Sequence, residues 1–200
     1  MKNSRLHELF KKYGTDKADH LYALLYEELM ESRCSQPTTL LEIGVKEGNS
    51  LRAWKCYFPN SKIYGIDLVM PEDSEGFEVF VGDQADEVFL KEVAEKIGPM
   101  DIVIDDGGHK MKEQQTSFRV LWPYVSPGGL YAIEDLRSSF VRPRTNNPMG
   151  LITTVNWLTE LARNLGKVRK GIGPMLHFAA RICVVEKPRQ PELMWRKEWI

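Results

Sequence analysis

Cysteine is scarce in this 200-residue chain. Only Cys34, Cys56 and Cys183 occur, odd in number, widely spaced and never in a Cys-x-x-Cys pattern. Neither a disulfide framework nor a zinc site has support, which leaves three structural thiols in a reducing compartment. An excess of one charge is lacking too. With 27 Lys and Arg against 28 Asp and Glu, the formal net charge of −1 removes the bulk electrostatic case for nucleic acid or a membrane surface as partner. No apolar run approaches the ~20 residues of a membrane span. Met1-Lys2-Asn3-Ser4-Arg5 leads into a charged amphipathic helix and not an apolar signal segment. The chain therefore reads as soluble and cytoplasmic, one domain over residues 1–200, long enough to bury about 70 % of its unfolded surface.

What is present is an alternation of helical and extended patterns. Leu6, Leu9, Phe10 and Tyr13 fall at helical spacing, as do Tyr22, Leu25, Tyr26 and Leu29. Between them Gly14-Thr15-Asp16-Lys17 breaks the first helix and offers Thr15 or Asp16 as a cap for the second, giving a helical N-terminal cover over residues 1–36. Strands are expected at Thr39–Val45, Lys62–Leu68, Glu78–Val81, Asp101–Asp105 and Gly129–Glu134. Leu51, Trp54 and Phe58 make one helical stripe between strands, and Phe118, Leu121, Trp122 and Val125 another. Such alternation predicts a parallel sheet with right-handed crossovers. Residues 137–150, with Arg137, Arg142, Arg144, two prolines and an Asn pair, read as a long loop placed to act as a substrate lid. Leu151, Val155, Leu158, Ala162 and Leu165 restore helical spacing. Met175–Phe178 and Arg181–Glu186 then close as a pair of strands, antiparallel because their connection is so short. The fold class is α/β: a Rossmann-like, doubly wound sheet of seven strands with a C-terminal antiparallel hairpin and N-terminal helices. Trp195 and Trp199 near the C-terminus suit either a homo-oligomer contact or a tail.

The chemistry collects at strand ends. Ile102-Val103-Ile104 runs into Asp105-Asp106-Gly107-Gly108-His109, and Ala132-Ile133 runs into Glu134-Asp135. Ligands of open α/β sheets bind at the carboxyl ends of strands. Two adjacent strands of this kind would gather four carboxylates and one imidazole, a set suited to a hard divalent cation with a proton acceptor beside it. Four acids at one edge repel unless a cation or protons intervene. His109 follows a Gly-Gly turn and so projects from the strand end, and its ordinary pKa near 6.5 suits a general base. After the first strand, Gly44 and Gly48 permit close backbone approach to a nucleotide-type ligand, but G-x-G-x-x-G is not met, which counts against a dinucleotide. Asp67 ends the second strand where a ribose-binding acid sits, and Asp83 and Gln84 end the third, placed for an exocyclic amine and a ring edge. Lys17 is available to an α-carboxylate; a bare helix–helix turn is the alternative for its segment.

These strings together resemble the metal-dependent sugar O-methyltransferases of macrolide and related antibiotic pathways, the mycinamicin and calicheamicin types, within the class I methyltransferases that use S-adenosylmethionine (SAM). The resemblance runs from about Leu6 to Lys187. It is carried by Tyr13–Lys17 with His20, Leu41–Val45 with Ser50-Leu51 and Trp54-Lys55, Tyr64–Asp67, Gly82–Gln84, Ile104–His109, Pro127–Leu130, Ile133–Leu136 and Val184–Lys187. It implies Asp106, Glu134 and Asp135 as magnesium ligands and His109 as catalytic base. The SAM-contacting set becomes Tyr13, Thr15, Lys17, Glu42, Gly44, Ser50, Asp67, Asp83, Gln84 and Asp105. The expected activity is magnesium-dependent methyl transfer from SAM to a hydroxyl of a sugar or glycosylated natural product. A catechol or polyketide hydroxyl is the alternative acceptor, and a non-catalytic SAM-binding subunit or a nicotinamide oxidoreductase the alternative class. Three departures stand out. Lys46-Glu47 replaces a glycine-rich pair, Gly108 replaces a serine before the histidine, and the extra N-terminal domain of the larger antibiotic enzymes has no room in this chain.

Overall fold

The computed structural model describes residues 4–20, 22–140, 153–165, 174–179 and 181–189. Arg142, Arg144, Trp195 and Trp199 lie outside the described residues. The chain forms two compact units, residues 1–83 and 84–200. The strands run in the order β3-β2-β1-β4-β5-β7-β6 in a seven-stranded sheet, numbered along the chain. That is the α/β architecture expected, with its helices at the N-terminus and its antiparallel pair at the end.

In the first unit, α1 (Arg5–Tyr13) begins where Ser4 accepts the His7 N–H at 3.0 Å and ends where Gly14 takes the left-handed conformation. Thr15 then caps a short 3-10 turn, Asp16–Ala18, and not α2 (Tyr22–Met30) itself. Strand β1 (Thr39–Ile43) is followed by α3 (Asn49–Tyr57), and β2 (Lys62–Asp67) and β3 (Glu78–Val81) lie parallel to it in order. Trp54 of α3 is fully buried, edge-on to Phe10 and Tyr26 with ring centroids 5.0 and 5.3 Å apart, and it locks the N-terminal helices onto the strand layer.

In the second unit, α4 (Glu87–Ile97) is capped by Asp86, which accepts from the backbone of Val88 and Phe89. Strand β4 (Met100–Asp105) pairs parallel with β5 (Val125–Ile133) across α5 (Met111–Leu121). The helical stripe expected through Val125 stops at Leu121. Pro123 cannot continue it, residues Trp122–Tyr124 form a 3-10 turn, and Val125 opens β5 four residues before the expected start at Gly129. The loop expected from Arg137 likewise starts as a 3-10 turn, Leu136–Phe140, in which Ser138 and Ser139 are buried. After α6 (Thr154–Leu165), β6 (Met175–Ala179) and β7 (Ile182–Glu186) form the expected antiparallel hairpin, and β7 also pairs antiparallel with β5. Phe118 of α5 anchors this core, its ring 4.8–5.0 Å from those of Tyr131, Trp122 and Trp157. Among the described residues no helix is long and apolar enough to cross a membrane.

Candidate active site

The parallel register of β4 and β5 sets Asp105 opposite Ile133, and the Glu134 N–H bonds the Asp105 carbonyl at 2.9 Å. Both acidic pairs therefore leave the sheet at one edge, as the sequence implied. Two backbone reversals then gather the side chains. His109 and Asp135 both adopt the left-handed region, with φ of 58° and 52°. Non-glycine residues rarely do so, and such positions concentrate at functional sites. The result is a compact group in which ligand atoms of Asp106, His109 and Asp135 all lie within 4.8 Å of one another. The three side chains are half-buried, and His109 Nε2 stands 3.5 Å from Asp135 Oδ2. His109 Nδ1 is buried and has no hydrogen-bond partner among the described residues.

Glu134, expected as a metal ligand with Asp106 and Asp135, is not one of the three members of that group. Glu134 is only 1 % exposed. Two half-exposed carboxylates beside an imidazole still form a hard donor set that fits magnesium, which takes one or two protein carboxylates and fills its octahedron with water and substrate oxygens.

Behind the group lies a buried polar network. Gln84 Oε1 accepts the Gly108 N–H at 2.7 Å, while its Nε2 donates to Asp105 Oδ1 at 3.1 Å and Ser117 Oγ at 3.0 Å. Burial raises the Asp105 carboxyl to about 6, against hydrogen bonds from Gln84 and Gly107 that hold it down. The Tyr131 hydroxyl is raised well above its usual value, by burial first and by the Asp105 charge second. Gln84 and Asp105 were expected at the cofactor. Asp105 has no exposed surface, and the Gln84 carboxamide bonds inward at 7 % exposure. Ser117 and Tyr131 escaped the sequence reading. A signal existed for the helix, since Gln114 and Ser117 are polar residues on the face of α5 that carries Met111, Phe118 and Leu121.

In the first unit the expected cofactor residues divide in the same way. Gly44 (φ 91°), Lys46 (φ 49°) and Gly48 (φ 81°) form a left-handed turn at the end of β1. Asp67 Oδ2 accepts the N–H groups of Val45 and Lys46 at 2.7 and 2.8 Å, and its Oδ1 that of Val69 at 3.2 Å. Its side chain thus fixes the turn, and it keeps solvent access. Tyr13 and Thr15 are half-buried and Asp83 is exposed, while Ser50 lies buried in the first turn of α3. Lys17 and Glu42, however, are 1 % and 0 % exposed and pair with each other at 3.0 Å; Trp54 Nε1 donates to the second Glu42 oxygen, also at 3.0 Å. Lys17 and Glu42, both expected at the cofactor, thus stand in this structure as a buried ion pair.

No family model matches the chain. Over 146 residues, 68 % of its length, it is 39 % identical to the 8-demethyl-8-(2-methoxy-alpha-L-rhamnosyl)-tetracenomycin-C 3'-O-methyltransferase of Streptomyces olivaceus. It is 40 % identical, over an equal length, to the mycinamicin VI 2''-O-methyltransferase of Micromonospora griseorubida. The chain spans 37 % of the length of each of these relatives. Among solved structures, the MycE methyltransferase of the mycinamycin pathway, in complex with Mg, S-adenosylhomocysteine (SAH) and mycinamycin VI, superposes over 98 % of this chain and 58 % of its own. The TM-score is 0.84 and the identity 33 %.

Proposed function

We propose that this chain, which belongs to the family of sugar O-methyltransferases from antibiotic pathways, moves a methyl group from SAM to a hydroxyl of a sugar or glycosylated natural product with magnesium bound. The observation that carries the reading is the left-handed pair His109 and Asp135, brought with Asp106 within 4.8 Å at the edge of two parallel strands. A small acceptor, without nucleic acid or membrane, and a cytoplasmic location fit the net charge of −1.

Asp106, Glu134 and Asp135 would hold the metal. When bound, magnesium favours the ionised form of a chelated hydroxyl, and SAM supplies the electrophilic methyl. His109 takes the hydroxyl proton at Nε2, the nitrogen that faces the acids, and the Asp135 carboxylate 3.5 Å away stabilises the resulting imidazolium. The strained backbone at both residues holds that alignment before substrate arrives, so little reorganisation is needed at the moment of reaction. For the cofactor, Asp67 and Asp83 remain the proposed contacts for ribose and base, and the Gly44–Gly48 turn with Tyr13, Thr15 and Ser50 the frame for the amino-acid end. Lys46-Glu47 does not close that turn into a different shape, because Lys46 adopts the left-handed conformation a glycine would take.

The test combines purified chain, SAM and a rhamnosylated or macrolide acceptor, in magnesium and in EDTA. Methylated product in magnesium alone is the expected result. His109→Ala lowers turnover by about 10²–10⁴ while leaving SAH affinity by calorimetry unchanged. Equal turnover in that variant removes the base assignment. SAH binding without turnover on sugar, catechol or polyketide acceptors would assign a non-catalytic binding role.

A further inference from the structure

We propose that Gln84, backed by Ser117, is a positioning residue for His109: its carboxamide clamps the Gly107–Gly108 turn that aims the imidazole into the acid group. The catalytic consequence rests on the methyltransferase reading above; the clamp itself rests on geometry. The Gly108 backbone N–H can only donate, so it must face Oε1, and it does so at 2.7 Å. Nε2 then has both protons for acceptors, Asp105 Oδ1 at 3.1 Å and Ser117 Oγ at 3.0 Å. Ser117 is free to accept because its own proton goes to the Glu113 carbonyl at 2.9 Å. One buried amide thus ties together the end of β4, the turn after it and the body of α5.

The turn needs such a tie. Gly108 immediately precedes His109, whose left-handed φ of 58° is disfavoured by ~1–2 kcal/mol for a typical non-glycine residue. Released, the turn would relax toward a right-handed conformation and carry the ring away from Asp135. The far side of the turn is equally close-fitted. A side chain at Gly108 would run into the Glu113 carboxylate, which itself accepts from the backbone and side chain of Lys110 at 3.2 and 2.8 Å. Gln84 thus spends three hydrogen bonds on its own chain, and on this proposal its influence on the chemistry travels through His109. The expectation from sequence, a hydrogen bond from Gln84 to the cofactor's ring edge, makes the opposite prediction for every measurement below.

The experiment compares Gln84→Met, which keeps length and burial but removes the amide, with the milder Ser117→Ala. Three quantities are read: the ring resonances of histidine-labelled protein, with His109 assigned from the His109→Ala spectrum; SAH affinity by calorimetry; and kcat and KM for SAM. Expected for Gln84→Met are shifted His109 resonances, kcat lower by about 10- to 100-fold, and SAH affinity and KM within about twofold of the parent. Ser117→Ala should change the same quantities in the same direction, by less. A tenfold or greater loss of SAH affinity with unshifted His109 resonances would return Gln84 to the cofactor, on the order of one direct hydrogen bond. Unshifted resonances with unchanged kinetics would also overturn the clamp. Should Gln84→Met fail to fold, Ser117→Ala decides by the same readings. The resonances need no turnover, so they judge the clamp even if the methyltransferase reading fails.

Discussion

In residues 1–83 two acids near the strand ends bond to their own chain. Glu42 neutralises Lys17 and holds the Trp54 indole, and Asp67 gathers three backbone N–H groups around the turn after β1. In residues 84–200, Asp106 and Asp135 instead stay half-exposed beside an imidazole with an orphaned buried nitrogen, on a backbone bent into the left-handed region twice. One arrangement lowers the energy of the fold. The other sets two half-exposed carboxylates and an imidazole where a ligand would meet them. The difference teaches that acids at the carboxyl ends of strands divide by burial, which their position along the chain does not show.

The sharpest test of the contrast is to remove one acid from each side. Asp106→Ala should lower turnover by about a thousandfold or more and abolish magnesium dependence, since the metal's charge stabilisation is worth several kcal/mol. Its unfolding midpoint should hardly move, as a half-exposed carboxylate adds little to stability. Glu42→Ala should do the reverse through the fold, costing about 3–5 kcal/mol in urea unfolding because the buried Lys17 ammonium loses its carboxylate. The double variant Lys17→Met/Glu42→Leu should recover most of that loss. If Glu42→Ala unfolds like the parent and only SAM binding suffers, the buried pair is not what holds this unit.

A second buried lysine extends the comparison. Lys187, 2 % exposed, is held by carbonyls: its Nζ donates to those of Trp122, Pro123 and Val125 at 3.0, 3.2 and 2.6 Å. Burial lowers its pKa to about 8 from 10.5. Between those values the unfolded chain binds more protons than the native one, so this residue's contribution makes stability rise as pH goes up through that window. Against a Lys187→Met variant the parent should gain about 2 kcal/mol between pH 8 and 10 in paired urea titrations. A constant difference across that range would show that the ammonium keeps its ordinary proton affinity.

The smallest effect separates strain that serves the site from strain that does not. Lys46→Gly should stabilise by about 1 kcal/mol, because glycine takes the left-handed φ of 49° without a Cβ penalty. Asp135→Gly should gain a similar or smaller amount, aspartate being better tolerated there, yet lose turnover. Matching activity in the two variants would make Asp135 a turn residue and nothing more.

Element order was legible because burial on both faces leaves apolar runs, as in Ile102–Ile104, and amphipathic helices leave stripes such as Leu51, Trp54 and Phe58. The stripe drawn through Val125 failed because Pro123 imposes a boundary that hydrophobic spacing ignores. Asp106, His109 and Asp135 were legible by their position after apolar strands. The partners that Gln84 and Glu42 have in the fold were not legible: Gly108 and Lys17 stand 24 residues ahead and 25 behind, and nothing local marks them.

By itself the sequence determined which residue types end each strand and in what order the elements follow, since periodicity and apolar runs are properties of neighbours along the chain. Only the tertiary structure decided which of those acids are buried against their own chain and which keep solvent access. That depends on long-range pairing and on two left-handed residues, and the free energy of a carboxylate is set by what surrounds it, not by what precedes it.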